Sequence, residues 1–333
     1  DLRGRLVEEK REIGQREYTI SYQYSEAGRL ESVVYPGGLR VIYHRDVNGD
    51  VDKIEATVRD NTITIATNID HMPFGPIRGL NFGNDFQLYK GFDDGYQVTE
   101  IRTGDLFDLL YSYDHRGQIT QIRDLVDPGT DRSFFYDGLG RLVGATGRFG
   151  NIGYTYDKVG NRLSRESNGE IETYTYEQGT NRLAGITGTT QRLFSYDEGG
   201  NTVALGEFEL RYNCHGRMVE VLRGGERVAD YVYDGLGRRV IKDLEDKRVL
   251  YFYDPTGKVL GEREEGGVFE KDYIYVDGVL IAKVVYPDGG IASYDQDEDG
   301  DVDGMDLARA AQRGGIDLEA FGRGFGRDGF VAK

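Results

Sequence analysis

The 333-residue chain contains no tryptophan, one cysteine, six prolines and four histidines. The lone Cys214 excludes an internal disulfide and leaves the redox compartment unread. Its setting, Asn213-Cys214-His215-Gly216, is that of a turn residue, with an intermolecular bridge as the alternative. His44, His71, His115 and His215 are scattered without metal-ligand or triad spacing, so turn or surface roles are expected of them. No apolar run reaches the roughly 18 residues that a membrane-spanning helix needs. G-x-S-x-G, P-loop and dinucleotide fingerprints are all missing. No signal peptide is visible and the first residue is not Met, which implies processing or truncation. Positive charge is in deficit: 41 Lys and Arg against 58 Asp and Glu leave a net charge of -17, which argues against nucleic acid or an anionic membrane as partner and suits cations and neutral polymers. So many acids must include close pairs, but nothing singles out two of them for glycosidase chemistry, and no enzyme is expected.

Glycine (48) and tyrosine (24) are what the chain has in excess, a composition suited to strands joined by many turns. Both are organised by one unit. Tyr136-Asp137-Gly138-Leu139-Gly140-Arg141-Leu142-Val143 returns almost unchanged at Tyr233-Asp234-Gly235-Leu236-Gly237-Arg238-Arg239-Val240. The Asp side chain is suited to accept from the backbone N–H two residues on, and the fourth-place Gly to take the positive φ of a type I turn closed by a G1 bulge. Alternation before the Asp, as in Tyr154-Thr155-Tyr156, puts both rings on one face. The turn Gly recurs at Gly28, Gly49, Gly117, Gly140, Gly160, Gly200, Gly216, Gly237 and Gly257, and Tyr176 to Leu183 keeps the frame with its Gly moved one place.

Asp1-Leu2-Arg3-Gly4-Arg5-Leu6-Val7 is itself the second half of a unit, so the sequence starts inside a repeat, and an open sheet edge is expected there. Between about 61 and 92 the frame loosens. The run Pro73-Phe74-Gly75-Pro76, which lacks two donors, suggests a sheet edge or corner. Residues 93 to 285 hold further copies, with a longer hairpin loop at Asp124 to Asp131. At two strands per copy, about 12 hairpins give on the order of 24 strands in a twisting, spiralling or barrel-like antiparallel sheet over residues 1–285. Tyr with Leu or Val is expected on its buried face; tyrosine rows turned to solvent would instead form a glycan platform. Residues 286–333 read as a linker followed by a small helical module.

Repeated Y-D-x-x-G-R-L at this spacing resembles the YD repeats of RHS-type proteins, bacterial cell-surface and secreted proteins akin to the teneurins. The likeness covers nearly all of residues 1 to 285 and includes Pro73-Phe74-Gly75-Pro76 and Tyr273-Ile274-Tyr275-Val276-Asp277-Gly278. It implies hairpins wound into a β-sheet shell, in some members around a toxin. The RHS core signature that marks self-cleavage in that family has no match after Asp277-Gly278, and no toxin-like domain follows.

The C-terminal segment resembles a dockerin-type or EF-hand calcium loop. Asp295, Asp297, Asp299, Asp303 and Asp306 fall at loop positions 1, 3, 5, 9 and 12, Gly300 at the sixth, and Asp301 offers its carbonyl at the seventh. Hard oxygen ligands so spaced favour Ca2+, and weakly binding modules of this kind fill where calcium is millimolar, outside the cell. A dockerin normally carries a second such loop, absent here. Asp46-Val47-Asn48-Gly49-Asp50-Val51-Asp52 has its Gly at position four and reads as a repeat turn.

Together these features point to a non-enzymatic, extracellular or cell-surface scaffold, stabilised by calcium at its C-terminus and self-associating through sheet edges into a homo-oligomer or filament, or continuing into a longer YD-repeat chain. A fragment of a toxin-enclosing RHS shell and a carbohydrate-binding surface module are the alternatives; a cohesin-like or glycan partner is compatible with the C-terminal module and the tyrosines.

Overall fold

The structure is a computed structural model that describes residues 1–13, 16–58, 61–73, 75–265 and 269–287. Among them twenty-seven strands follow one another from Glu8–Ile13 to Val279–Pro287, and the single helical element is a 3-10 turn, Pro128–Thr130. Successive strands pair antiparallel with their sequence neighbours, as in Phe134↔Ala145, Ala145↔Ile152 and Ile152↔Ser167. The all-β sheet of hairpins read from the sequence is therefore the fold. The helical calcium module lies outside the described residues.

The repeat unit forms the turn its residues dictate. Asp137 N–H donates to Arg141 O (2.9 Å) and Gly140 N–H to Asp137 O (3.0 Å), while Gly140 takes φ +79° and the register slips between Phe135 and Tyr136. That is a type I turn with a G1 bulge. The Asp carboxylate seals it: Oδ1 accepts from Leu139 N and from Arg141 N, both at 2.9 Å.

Residues 61–92 form strands in spite of the loosened frame, but the pairing of the first two shifts register twice between Thr67 and His71, where Asn68 takes φ 52°. Strands Asn61–His71, Ile77–Phe82 and Gln87–Phe92 occupy them, and the first two are joined in the same frame, with Met72 N–H donating to Pro76 O and Gly75 N–H to Met72 O, both at 2.9 Å. Pro73 and Pro76 are accommodated because their positions donate to no ladder. His71 pairs with Ile77 across that run.

The chain divides into two compact units, one of Asp1–Leu88 with the residues from Val249, the other Tyr89–Arg248. In the first, sequence-distant strands face each other over an apolar core that includes Ile20, Tyr22, Tyr35, Val41, Ile54, Phe252 and Ile274, all buried. The Tyr18 and Phe252 rings meet at 5.0 Å, and Tyr35 OH donates to Tyr273 O at 2.8 Å. Gly37 lies where any Cβ would sit 2.5 Å from the Arg263 guanidinium, which pairs with Asp272 at 3.2 Å inside the core.

In the second unit buried side chains are sparser, among them Leu109, Ile122, Ala145 and Ile186. The tyrosines of its repeats are half-buried.

Candidate functional site

The feature repeated most often is a latch between successive hairpins. In most copies the tyrosine just before the turn donates its hydroxyl to a carbonyl in the return strand of the preceding copy, two residues past that copy's turn glycine in the standard turns: Tyr136 to Ile119 O, Tyr156 to Leu142 O, Tyr233 to Met218 O; before Asp46 the same place is held by Arg45, which donates to Leu30 O. The tyrosine bonds range from 2.6 Å at Tyr113 to 3.1 Å at Tyr24. Burial, then the charge of Asp114, raises the Tyr136 pKa, so this hydroxyl stays a proton donor.

The residue after the turn glycine completes the latch. Arg141 Nε donates to Asp137 Oδ2 (2.7 Å), Nη1 donates forward to Asp157 O (2.9 Å), and the guanidinium lies 4.9 Å from the centroid of Tyr156. Arg182 over Tyr196 and Arg217 over Tyr233 repeat the stacking, while Gln118 reaches Gly140 O at 2.8 Å where no Arg is present. A ring with a guanidinium on one side is less open to sugar than a bare tyrosine platform, so the latch assigns these rings to holding hairpins together.

Carboxylate electrostatics follow from the same geometry. Hydrogen bonds from the Gln118 and Arg116 backbone hold Asp114 below the usual carboxylate range, the Arg141 backbone N–H does so most for Asp137, and the Asn201 side chain most for Asp197.

Asp295, Asp297, Asp299, Asp301, Asp303 and Asp306 lie outside the described residues. Asp46 Oδ1 accepts from the N–H groups of Asn48, Gly49 and Asp50, which makes its segment a repeat turn as read. His44 Nε2 is 2.7 Å from Glu55 Oε2, His71 Nε2 is 2.9 Å from Asp277 Oδ2, and His215 Nδ1 is 3.3 Å from the exposed Cys214 Sγ. Among the described residues no group of three or more His, Cys, Asp or Glu is placed to hold a metal ion. No described helix is long and apolar enough to cross a membrane.

Sequence reading missed a recess of about 480 Å³ in the first unit, lined by polar residues that include Gln23, Glu31, Ser32 and Arg40 and by the apolar Ile42 and Tyr43. Its floor belongs to neighbouring strands whose register, Gln23↔Ser32↔Ile42, is invisible until the hairpins are paired.

The sequence matches the teneurin YD-shell family over residues 1–153 and 112–309. Among solved structures the chain resembles the Photorhabdus luminescens Tc holotoxin pore carrying a TccC3 mutation, with a TM-score of 0.66 and 18% identity over 82% of this chain and 16% of that one. It also resembles TcdB2-TccC3-Cdc42 (TM-score 0.68, 17% identity, 83% of this chain and 16% of that one) and TcdB2-TccC3 (0.67, 18%, 87% and 17%). At such identity the likeness concerns the fold, and this chain spans only 16% to 17% of the length of those chains. No curated protein matches the sequence.

Proposed function

Because the chain belongs to the teneurin YD-shell family, we propose that it is a structural scaffold without catalysis, a stretch of hairpin wall that works at the cell exterior as part of a larger YD-repeat assembly. The observation that carries this is the latch: Tyr hydroxyl to the preceding hairpin, Arg or Gln to the following turn, repeated through both units. Each copy is fixed by its neighbours, so the arrangement extends by adding hairpins and demands no special residue in any one of them. Self-association of purified chains is the form of assembly we favour, because unpaired strand edges template further pairing. Light scattering with electron micrographs tests it: particles that grow with concentration support it, and a monomer at every concentration removes it.

Calcium belongs to the same proposal. The donor set Asp295, Asp297, Asp299, Asp303 and Asp306, with the Asp301 carbonyl and Gly300 at the turn, has the oxygen chemistry and spacing for Ca2+ as a structural ion. Asp295→Ala with Asp299→Ala is expected to abolish calcium uptake in titration calorimetry.

A second reading, a fragment of a toxin-enclosing shell, is favoured by the likeness to the TcdB2-TccC3 structures. A toxin gene beside this one would support it.

A further inference from the structure

Part of the lining of the recess in the first unit, Gln23, Glu31 and Arg40, is left unused by the hairpin latch. Gln23, Ser32 and Ile42 share one face of three adjacent strands, opposite the core row of Tyr22, Val33 and Val41. A serine on an outward face is ordinarily wet; Ser32 is 2% exposed. It is covered because Gln23 Oε1 accepts from both Ser32 Oγ and Arg40 Nη2, each at 2.9 Å. That double acceptance turns the Gln23 carboxamide so that its oxygen is engaged, and its two N–H donors have no protein partner.

Arg40 has no carboxylate within ion-pair distance and is tied only to that neutral oxygen. Arg45 is fixed through Nη1 to Gly49 O and Nη2 to Leu30 O, and its Nε is buried without a partner. His44 and Glu55 satisfy each other, with Lys53 also on Glu55. The acid of the lining, Glu31, forms no ion pair. The recess thus carries spare donors on Gln23 and Arg40, and the positive charge of Arg40 is not cancelled by a paired carboxylate, in a chain of net charge -17.

We propose that this recess binds a carboxylated sugar, a hexuronate unit. The planar guanidinium of Arg40 suits a carboxylate through two parallel hydrogen bonds. The free Gln23 amide donors suit ring hydroxyl oxygens, and Glu31 accepts from a ring hydroxyl. Glu31 also opposes a doubly charged phosphate, so a single carboxylate fits better than a phosphoryl group. At about 480 Å³ the space falls within the roughly 300–1,000 Å³ of small-molecule sites. Arg40, Gln23 and Glu31 take no part in the latch, so failure of the site would leave the scaffold reading untouched.

Saturation-transfer NMR and titration calorimetry on the full chain, with sodium glucuronate, a galacturonate oligosaccharide, glucose and inorganic phosphate as probes, test this. Glucuronate or the oligosaccharide binds, with glucose and phosphate about tenfold or more weaker. A preference for the oligosaccharide identifies a polymer as the source. Arg40→Ala and Gln23→Ala each weaken uronate binding about tenfold or more, and Arg40→Lys restores only part. Tyr156→Phe, in the other unit, leaves it unchanged, and circular dichroism establishes that each variant is folded. No uronate binding, phosphate bound as tightly as uronate, or undiminished binding by a folded Arg40→Ala or Gln23→Ala chain would overturn the proposal.

Discussion

A single position in the turn decides whether the backbone closes. Gly140 sits at φ +79° with no hard neighbour, since a Cβ there would meet nothing closer than the Gln118 amide at 3.4 Å. The cost of a side chain is therefore conformational: Gly140→Ala is expected to lower stability by about 1 kcal/mol in denaturant titration. At Gly37 the obstacle is a neighbour instead. An alanine there must push the Arg263 guanidinium off Asp272, and a loss of roughly 3 kcal/mol is expected from disturbing a pair so deeply buried. The turn aspartates add a pH dependence. Asp114, Asp137 and Asp197 have depressed pKa values in the folded chain, so the unfolded chain binds more protons in acid. Their contribution is present above the unfolded value of about 4 and is lost as pH falls through the folded values. Denaturation midpoints should hold level down to about pH 4 and decline below it, less steeply in Asp137→Asn.

At the scale of the hairpin, the latch makes two neighbours interdependent. Tyr156→Phe removes the hydroxyl from Leu142 O and should cost about 0.5–1.5 kcal/mol. A double-mutant cycle pairing Arg141→Ala with Tyr156→Leu should return a coupling of about 0.5–1 kcal/mol from the stacked guanidinium. These hairpins were legible in the sequence because Asp and Gly advertise the turn: Asp accepts from the backbone and Gly tolerates positive φ. Others were not. The frame is a pair of backbone hydrogen bonds, and Tyr35, Met72 and Phe82 stand in the Asp place without a side-chain acceptor. Asp85 (φ 65°) and Tyr96 (φ 63°) stand in the Gly place. Sequence reading therefore found the copies that carry the side-chain signature and took the strands between 61 and 92 for a looser segment. The recess was illegible for a different reason: Gln23 and Arg40 lie two strands apart and are joined only by register.

Over the whole molecule, the two units use the same hairpin in different surroundings. In Asp1–Leu88 with the residues from Val249, the tyrosines Tyr22 and Tyr35 join an apolar interior; in Tyr89–Arg248 those of the ladder are half-buried and held by arginine and by carbonyls. The latch itself is common to both, since Tyr24 of the first unit donates to Leu6 O as Tyr156 of the second does to Leu142 O; what differs is the apolar packing around it. A scaffold role requires that the chain exist within a larger body. The direct measurement is the mass of the native particle that carries it, isolated from its source with an antibody to residues 1–285. A scaffold of this kind predicts a particle well above the 37.4 kDa of this chain, made of several copies or of a longer YD-repeat polypeptide. A free 37.4 kDa monomer as the predominant native species would contradict it.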